Sequence, residues 1–279
     1  MKIKINENDL DVKLDNEKTA GEVIANIGSW LSDSGHRISE ICVNGQVIAS
    51  SKIDETFKKE IKDIESISIQ TAAVAELTAA CIINLLEDIK EYDGLNFEKK
   101  TVFFNEWEKS ATAAFLHAEI PDLYAFCVST FSRGDMAVNT LVSITEEIQR
   151  EVNEPLKELE KLEQIVNEIC EKLINLPLDI QTGKDIQAAK TIQVFSAVTE
   201  KLLRIFRQVD IQGYMTDTEG KKKLFALITE FGKIIKDLQE SYEKKDYVLV
   251  GDLTEYEASP KLKELYIVIR ENCQNKTEL

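Results

Sequence analysis

The apolar positions between Ile148 and Leu173 form one regular stripe. They recur at alternating steps of three and four residues, and Glu, Lys, Asn and Gln fill nearly every position between them. This spacing places the apolar side chains on one face of a helix. Because short isolated helices are only marginally stable in water, other helices are expected to cover the stripe. Its members are Ile148, Val152, Leu156, Leu159, Leu162, Val166, Ile169 and Leu173.

The helical period continues over the whole chain after residue 71. Pro155 is expected to kink the long helix or to start a new segment at Asn153-Glu154, and Leu176-Pro177 is expected to break the helical pattern. Short loops favour antiparallel packing, so the pattern predicts a large all-α antiparallel helical bundle over residues 72–279. The predicted helices span residues 72–92, 97–117, 121–133, 136–175, 184–210, 219–243 and 246–272.

Residues 1–71 follow a period of two instead, which predicts strands with one buried face. A first hairpin is expected across residues 6–9, with Leu10, Val12 and Leu14 in its second strand, and a second hairpin at Asn44-Gly45. The spacing of Thr19 and Glu22 predicts a capped helix, and a short helix is expected over residues 54–62. The predicted core of this unit consists of Ile3, Ile5, Leu14, Val23, Ile27, Trp30, Ile41, Val43, Ile67 and Ile69.

The order strand, strand, helix, strand, strand, short helix, strand resembles the ubiquitin-like β-grasp fold over residues 1–70, with the turn at Val43-Asn44-Gly45-Gln46-Val47 as its most specific point. Modifiers and sulfur carriers of that fold end in a free diglycine. Here Thr71-Ala72-Ala73 leads into a helix, so the resemblance implies a docking module instead of conjugation or sulfur transfer. The fold class is therefore expected to be α+β, with a ubiquitin-like domain at 1–71 and a helical bundle at 72–279.

The formal net charge is −16 and the pI is about 4.7. Binding to nucleic acid or to an anionic membrane requires a basic surface, so neither partner is expected. The basic run Lys221 to Lys223 is interpreted as the exposed first turn of a helix. The most apolar run, Ala72 to Leu86, contains Glu76 and is too short to span a bilayer.

The five cysteines are scattered and odd in number. Neither a zinc site nor a disulfide framework fits this pattern. Cys81 and Cys170 lie on apolar helical faces and are expected to be buried and reduced. Because the first seven residues also contain no signal-peptide core, the chain is expected to be cytoplasmic.

Residues with catalytic potential are few. The chain has two histidines, His36 and His117, and neither has sequence neighbours that would form a triad or a metal site. Asp252 and Glu255 share one helical face and are interpreted as solvated. The expectation is therefore no catalytic residue, no metal and no organic cofactor.

The segment from Tyr242 to Pro260 is similar to a stretch in uncharacterised helical proteins of flagellated bacteria, which implies a motility-linked cytoplasmic context. The candidate interaction or structural residues come from this segment. They are Asp246, Tyr247, Asp252, Glu255, Tyr256 and Glu257.

Two of these candidates fall on the apolar arc of the predicted helix at about 100° per residue. Asp246 is explained as an N-cap. For Glu257 two interpretations stay open. The helix could fray before Ser259-Pro260, or Glu257 could be buried and paired with Arg204 or Arg207, because an unpaired buried carboxylate would be costly.

The leading functional hypothesis is a non-catalytic interaction protein that acts as an adaptor, regulator or chaperone for a protein partner. One alternative is an enzyme whose site combines carboxylates and tyrosines that are distant in sequence. The other is a self-assembling structural protein, for which a homo-oligomer is expected.

Overall fold

The computed structural model describes residues 1–10, 17–48, 52–133, 137–215 and 217–274. A small five-stranded sheet is followed by a mostly helical region, which confirms the α+β class. The chain divides into two compact units, Met1–Asn84 and Leu85–Leu279. The domain boundary expected at residue 71 stays a prediction, and the strand residues Val12 and Leu14 lie outside the described residues.

The sheet of the first unit has the order β2-β1-β5-β3-β4. Strands β1 and β5 pair in parallel at its centre, and the other pairs are antiparallel. The strands are β1 (Lys2–Ile5), β2 (Asn8–Asp9), β3 (His36–Val43), β4 (Gln46–Val47) and β5 (Ser66–Ala73).

Both predicted hairpins are present, but the second strand of the first hairpin is Asn8–Asp9 and ends before Leu10, which was expected in it. Asn6 and Glu7 have φ angles of 47° and 68°, and Asn44 and Gly45 have φ angles of 52° and 77°. Two consecutive residues with positive φ form the tight turns that match the twist of antiparallel strands. The sequence signal at Asn44-Gly45 therefore located the second turn correctly.

The two turn asparagines also attach their hairpins to β5. The Asn6 Oδ1 accepts a hydrogen bond from the Thr71 backbone N–H at 2.8 Å. The Asn44 Oδ1 accepts from the backbone N–H groups of Glu65 and Ser66 at 2.8 and 3.1 Å. Side-chain acceptors thus supply partners for backbone groups around the central strand.

Helix α1 (Ala20–Asp33) begins with the predicted capping box between Thr19 and Glu22. Its buried residues include Val23 and Ile27. Trp30 was predicted in this core, and that prediction is wrong because the side chain is 57% exposed. At ~100° per residue Trp30 lies ~80° from Ala20, the fully buried first residue, and therefore at the margin of the buried face.

The remaining helices generally follow the predicted periods, with several different boundaries. In place of the single short helix expected over residues 54–62, the chain forms α2 (Ile53–Phe57) and a separate 3-10 turn (Ile61–Asp63). Among the described residues, no helix is both long enough and apolar enough to cross a membrane. The helices are α2 (Ile53–Phe57), α3 (Val74–Asp93), α4 (Phe97–Trp107), α5 (Ala111–Glu119), α6 (Pro121–Arg133), α7 (Val138–Asn153), α8 (Pro155–Gln181), α9 (Asp185–Ile211), α10 (Thr218–Glu243), α11 (Tyr247–Asp252) and α12 (Ser259–Gln274), with a π-helical segment, Leu253–Ala258, between the last two.

The predicted helix at 97–117 is two helices, α4 and α5. The break occurs because Ser110 caps a new helix, its Oγ accepting from the Ala113 backbone N–H at 3.1 Å. Pro155 starts α8 as its first residue, so of the two alternatives the new segment is confirmed and the kink is not.

Pro177 was expected to break the helix, and this prediction is wrong. Helix α8 continues through Pro177 to Gln181. The proline ring packs closely on α11, since a Cβ added to Gly251 would lie 3.1 Å from both the Cβ and the Cγ of Pro177. The helix therefore continues at a proline where the local pattern predicted a break, and this proline packs on a glycine of another helix.

The stripe from Ile148 to Leu173 is covered as expected. Seven of its eight residues are at most 5% exposed, and Leu156 is half-buried. Residues of this stripe form one core with α9, α10 and α12. Cys81 and Cys170 are buried and form no disulfide, also as expected.

An aromatic cluster holds α6 against α3 and α4. The ring centroids of Tyr92 and Phe131 lie 4.7 Å apart, and those of Trp107 and Phe131 lie 4.9 Å apart. The Tyr92 hydroxyl also donates to the Phe131 carbonyl at 3.1 Å. These contacts position the helix that forms one wall of the groove described next.

Candidate functional site: a groove among α6, α7 and α9

The candidates from residues 246–257 lie at the start of α11, along it and in the π-helical segment that follows. Asp246 caps α11 as predicted, its Oδ1 accepting from the Leu249 backbone N–H at 3.1 Å. Tyr247 is 42% exposed. Tyr256 hydrogen-bonds with Glu255 and lies near Asp252, and these two carboxylates raise the pKa of the Tyr256 hydroxyl.

Glu257 is exposed, which excludes the buried ion pair and agrees with the solvent exposure that the fraying interpretation expected, although not with its cause. The helical run does not fray, because the π-helical segment continues directly into α12. A π turn closes hydrogen bonds over five residues and rotates each residue through a smaller angle than an α turn. The predicted arc is therefore shifted, so that Ala258 and Ser259 are buried and Glu257 faces solvent.

A groove of about 540 Å³ lies among α6, α7 and α9, and we call it the α6–α9 groove. Its wall is mainly apolar, and charged side chains stand along it. The charged lining residues are Glu119, Asp122, Glu147, Glu200, Arg204 and Arg207. The larger apolar lining residues are Ile120, Leu123, Phe126, Ile144, Ile148 and Leu203.

Arg204 is the central cation of the groove. Its Nε and Nη2 each donate to one oxygen of Glu151 at 2.9 Å. Its Nη2 also donates to Glu147 at 3.1 Å. This forked arrangement matches the planar guanidinium to a carboxylate, and it ties α9 to α7.

Arg207 and Lys201 lie one turn to either side of Arg204 on α9. Arg207 donates to the carboxylate of Glu119 at 2.6 Å and also to the Glu119 backbone carbonyl. Lys201 contacts Glu147 and Glu158, each at 3.2 Å. Three cations at intervals of three residues thus bind carboxylates from α5, α7 and α8.

The electrostatic environment differs between the two most buried carboxylates. Burial raises the pKa of Glu151, and the hydrogen bonds from Arg204 only partly offset this effect. Burial also acts to raise the pKa of Glu158, but hydrogen bonds from Lys161 and Lys201 outweigh it, so that pKa lies below its usual value.

Arg204 stays charged in this setting. Burial acts to lower the pKa of Arg204, but its hydrogen bonds and charge contact with Glu151 outweigh that effect and raise the pKa. The ion pairs are therefore formed within the protein, and the apolar wall is the part of the groove that can accept an apolar group.

Under one of the two interpretations left open for Glu257, Arg204 or Arg207 was expected to be its partner. Their actual partners are Glu119, Glu147 and Glu151. The available signal was the four-residue spacing of Glu147 and Glu151 beside the Ile148 stripe. That spacing predicts two carboxylates on one flank of α7, although it does not identify the facing helix.

Both histidines are exposed, and His117 packs edge to face on Tyr124 with centroids 4.9 Å apart. Within the part of the chain that the structure describes, no three or more His, Cys, Asp or Glu side chains are grouped to hold a metal ion.

The comparisons with known proteins cover parts of the chain. No curated protein and no solved structure matches it. Residues 1–73, which contain the complete five-stranded sheet, are similar to the family described as the TP0873 N-terminal domain. Residues 137–267, which contain α7 and α9 of the groove, are similar to the family described as a domain of unknown function (DUF8042).

Proposed function

We propose that this chain is a non-catalytic protein-interaction protein, an adaptor, regulator or chaperone, and that its α6–α9 groove receives a helix of a protein partner. The observation that carries the proposal is the composition of the groove. An apolar wall of half-buried and buried side chains lies beside charged side chains, several of which already bind one another. Amphipathic helices commonly bind in such grooves through one apolar face.

The charge of the groove specifies the partner further. The rim residues Asp122 and Glu200 are exposed carboxylates, and the whole chain carries a net charge of −16. Complementary charge accelerates association and fixes orientation. The proposed partner helix therefore has an apolar face with Lys or Arg along its margins.

The enzyme alternative would rely on a carboxylate with a displaced pKa, and Glu151 is one. Glu151 is 1% exposed and accepts hydrogen bonds from Nε and Nη2 of Arg204. A substrate in the groove would meet Arg204 before this carboxylate. The arrangement therefore favours a structural ion pair over a general acid or base.

The proposal is tested with two labelled model helices, one built from Leu and Lys and the other from Leu and Glu. The Leu/Lys helix should bind the full chain more tightly. Ile144→Asp, which places a charge on the groove wall, should raise the Kd at least about tenfold, or ~1.4 kcal/mol. Ile165→Asp is the control, because Ile165 is 41% exposed on α8 and does not line the groove.

A second pair of variants distinguishes loss of binding from loss of folding. Glu200→Lys reverses a charge on the exposed rim, and Glu168→Lys makes the same change at an exposed position of α8. Only Glu200→Lys should weaken binding of the Leu/Lys helix. Equal Kd values for the members of both pairs, or equal binding of the two helices, would rule out the groove as a site for a basic helix.

For the sheet unit we propose a β-grasp docking module. Its support is the central parallel pair β1–β5, the order β2-β1-β5-β3-β4 and the packing of α1 on the sheet. A cytoplasmic, motility-linked setting also belongs to the proposal. It is supported by the five cysteines, which form no disulfide among the residues that the structure describes, and by the resemblance of residues 242–260.

A further inference from the structure

The α6–α9 groove has a floor, two walls and one closed end. Helix α7 contacts both α6 and α9, so α7 forms the floor and the other two helices form the walls. Arg207 of α9 donates to the carboxylate and to the backbone carbonyl of Glu119, the last residue of α5. Because α6 begins two residues later, at Pro121, this ion pair joins the two walls and closes one end of the groove.

The two walls run in opposite directions from the closed end. The lining residues of the first wall begin at Glu119, whereas those of α9 end at Arg207. Asp122, in the first turn of α6, therefore lies beside the closed end. Glu200 precedes Arg207 by seven residues. At about 1.5 Å per helical residue, it lies about 10 Å farther along the opposite wall.

Two carboxylates of the groove are already bound by cations of α9. Glu119 pairs with Arg207 at 2.6 Å. Glu147 accepts a hydrogen bond from Arg204 at 3.1 Å and also contacts Lys201 at 3.2 Å. These carboxylates hold the walls on the floor, so a partner would have to break an existing ion pair to use them.

The other two carboxylates, Asp122 and Glu200, are available. Both are exposed, and neither forms a hydrogen bond or an ion pair with another residue in the described part of the chain. The charge of Glu200 acts on Arg204 at longer range. The six charged lining residues are four carboxylates and two arginines, so the lining has a net charge of −2. That excess corresponds to Asp122 and Glu200.

These two carboxylates lie on a diagonal of the groove, on opposite walls and about two helical turns apart. A helix whose apolar face rests on α7 presents one flank to each wall. It meets both carboxylates if it carries one cation on each flank, about seven residues apart. Turning such a helix end for end exchanges its flanks and its ends together, so the diagonal stays the same. An isomer with its cations on the other diagonal fits in neither direction.

We infer that Asp122 and Glu200 select the partner helix by the positions of its cations, with one Lys or Arg on each flank along one diagonal. The inference rests on the proposed function, because it requires a helix in the groove. Complementary charges fix the orientation and register of a bound partner. The ion pairs of Arg204 and Arg207 therefore hold the groove together, and the two exposed carboxylates determine which helix fits it.

The test uses three labelled helices of equal length and composition, built from Leu, Ala, Gln and two Lys. In two of them the lysines lie on opposite flanks about two turns apart, on one diagonal or on the other. In the third they lie on the same flank. Fluorescence anisotropy with the full chain at low salt should show that one diagonal isomer binds at least about threefold more tightly than the other two helices, since exposed ion pairs are individually weak. Added salt should reduce this preference.

Charge reversal assigns the preference to its residues. Asp122→Lys and Glu200→Lys should each abolish the preference for that isomer, whereas the control Glu146→Lys should keep it, because Glu146 is exposed on α7 and does not line the groove. The preferred isomer with one lysine replaced by Glu should bind Asp122→Lys and Glu200→Lys more tightly than it binds the wild-type chain. Such tighter binding requires a folded chain, so it separates loss of recognition from loss of folding.

The outcomes distinguish this inference from the proposed function. Equal Kd values for the two diagonal isomers, or a preference that persists in Asp122→Lys and Glu200→Lys, would overturn the inference. If Ile144→Asp weakens all three helices equally in that case, the groove still binds a helix and only the cation pattern is wrong. If none of the helices binds the wild-type chain, the proposed function fails and the inference fails with it.

Discussion

At the residue scale, a glycine is required at position 251 because it has no Cβ. The ring of Pro177 occupies the space that a Cβ at Gly251 would enter, at 3.1 Å from two ring carbons. A proline ring in a helix cannot rotate away as a flexible side chain can. Glu257 is the opposite case, since its side chain is exposed and the π-helical segment has turned it away from the core.

We predict that Gly251→Ala lowers the free energy of unfolding. Alanine gains about 0.8–1.0 kcal/mol over glycine inside a helix, but overpacking against a rigid neighbour costs about 1–3 kcal/mol. The matched control is Gly232→Ala in α10, where nothing lies within 4 Å of an added Cβ. Urea denaturation should show Gly232→Ala stabilised and Gly251→Ala destabilised. Equal stabilisation of both variants would mean that α8 and α11 adjust easily.

At the element scale, ion pairs join helices that the apolar stripes bring together. Lys201 of α9 reaches Glu158 of α8, and Arg204 of α9 reaches Glu151 of α7. These carboxylates are 3% and 1% exposed. A buried pair adds little net stability compared with apolar packing, but removal of one partner leaves the other charge desolvated.

We predict that the contribution of Glu158 depends on pH. Because the pKa of Glu158 is lowered in the folded chain from its usual value of 4.5, the unfolded chain binds the proton more strongly. The stabilisation is therefore present above pH 4.5 and is lost as the pH falls through the folded-state pKa. Glu158→Gln should cost about 1.5–3 kcal/mol at neutral pH, and the difference from wild type should shrink in acid.

The control for this pH effect is Glu168→Gln, at an exposed position on the same helix. It should change the free energy of unfolding by less than about 0.5 kcal/mol at either pH. The measurement is chemical denaturation of the three proteins at neutral and acidic pH. A constant difference between wild type and Glu158→Gln across this range would contradict the assigned role.

At the scale of the whole molecule, the chain consists of two compact units with separate apolar cores. All buried members of the first core lie between Ile3 and Ile69, and the core cluster shared by α8, α9, α10 and α12 contains residues from Leu159 to Cys273. The boundary between the two compact units falls after Asn84, inside α3. The first core is therefore complete in sequence before α3 begins at Val74.

We predict that residues 1–71 fold alone, because this segment contains every buried residue of the first core. Small units of this size bury a limited fraction of their surface and are marginally stable. Two-dimensional amide NMR spectra should be dispersed both for this fragment and for residues 1–84. Dispersed amide signals for residues 1–84 but not for residues 1–71 would place the end of the folding unit inside α3. Collapsed dispersion in both would show that the sheet unit depends on the rest of the chain.

The sequence by itself determined the features whose energy comes from neighbours along the chain. The stripe from Ile148 to Leu173, the capping box at Thr19 and the turn at Asn44-Gly45 all lie where the patterns predicted them. Helical period, cap hydrogen bonds and turn conformation each depend on residues a few positions apart. Such local terms can be recognised without knowledge of the fold.

Only the tertiary structure decided the features that depend on residues far apart in the chain. The helix at Pro177 packs on Gly251, Arg204 pairs with Glu151, and Glu257 is exposed by a π-helical turn. Each of these outcomes depends on which helix faces which, and on the free energy of desolvating a group at that contact. A periodic pattern specifies which face of a helix is buried, but it does not specify the neighbour against which that face packs.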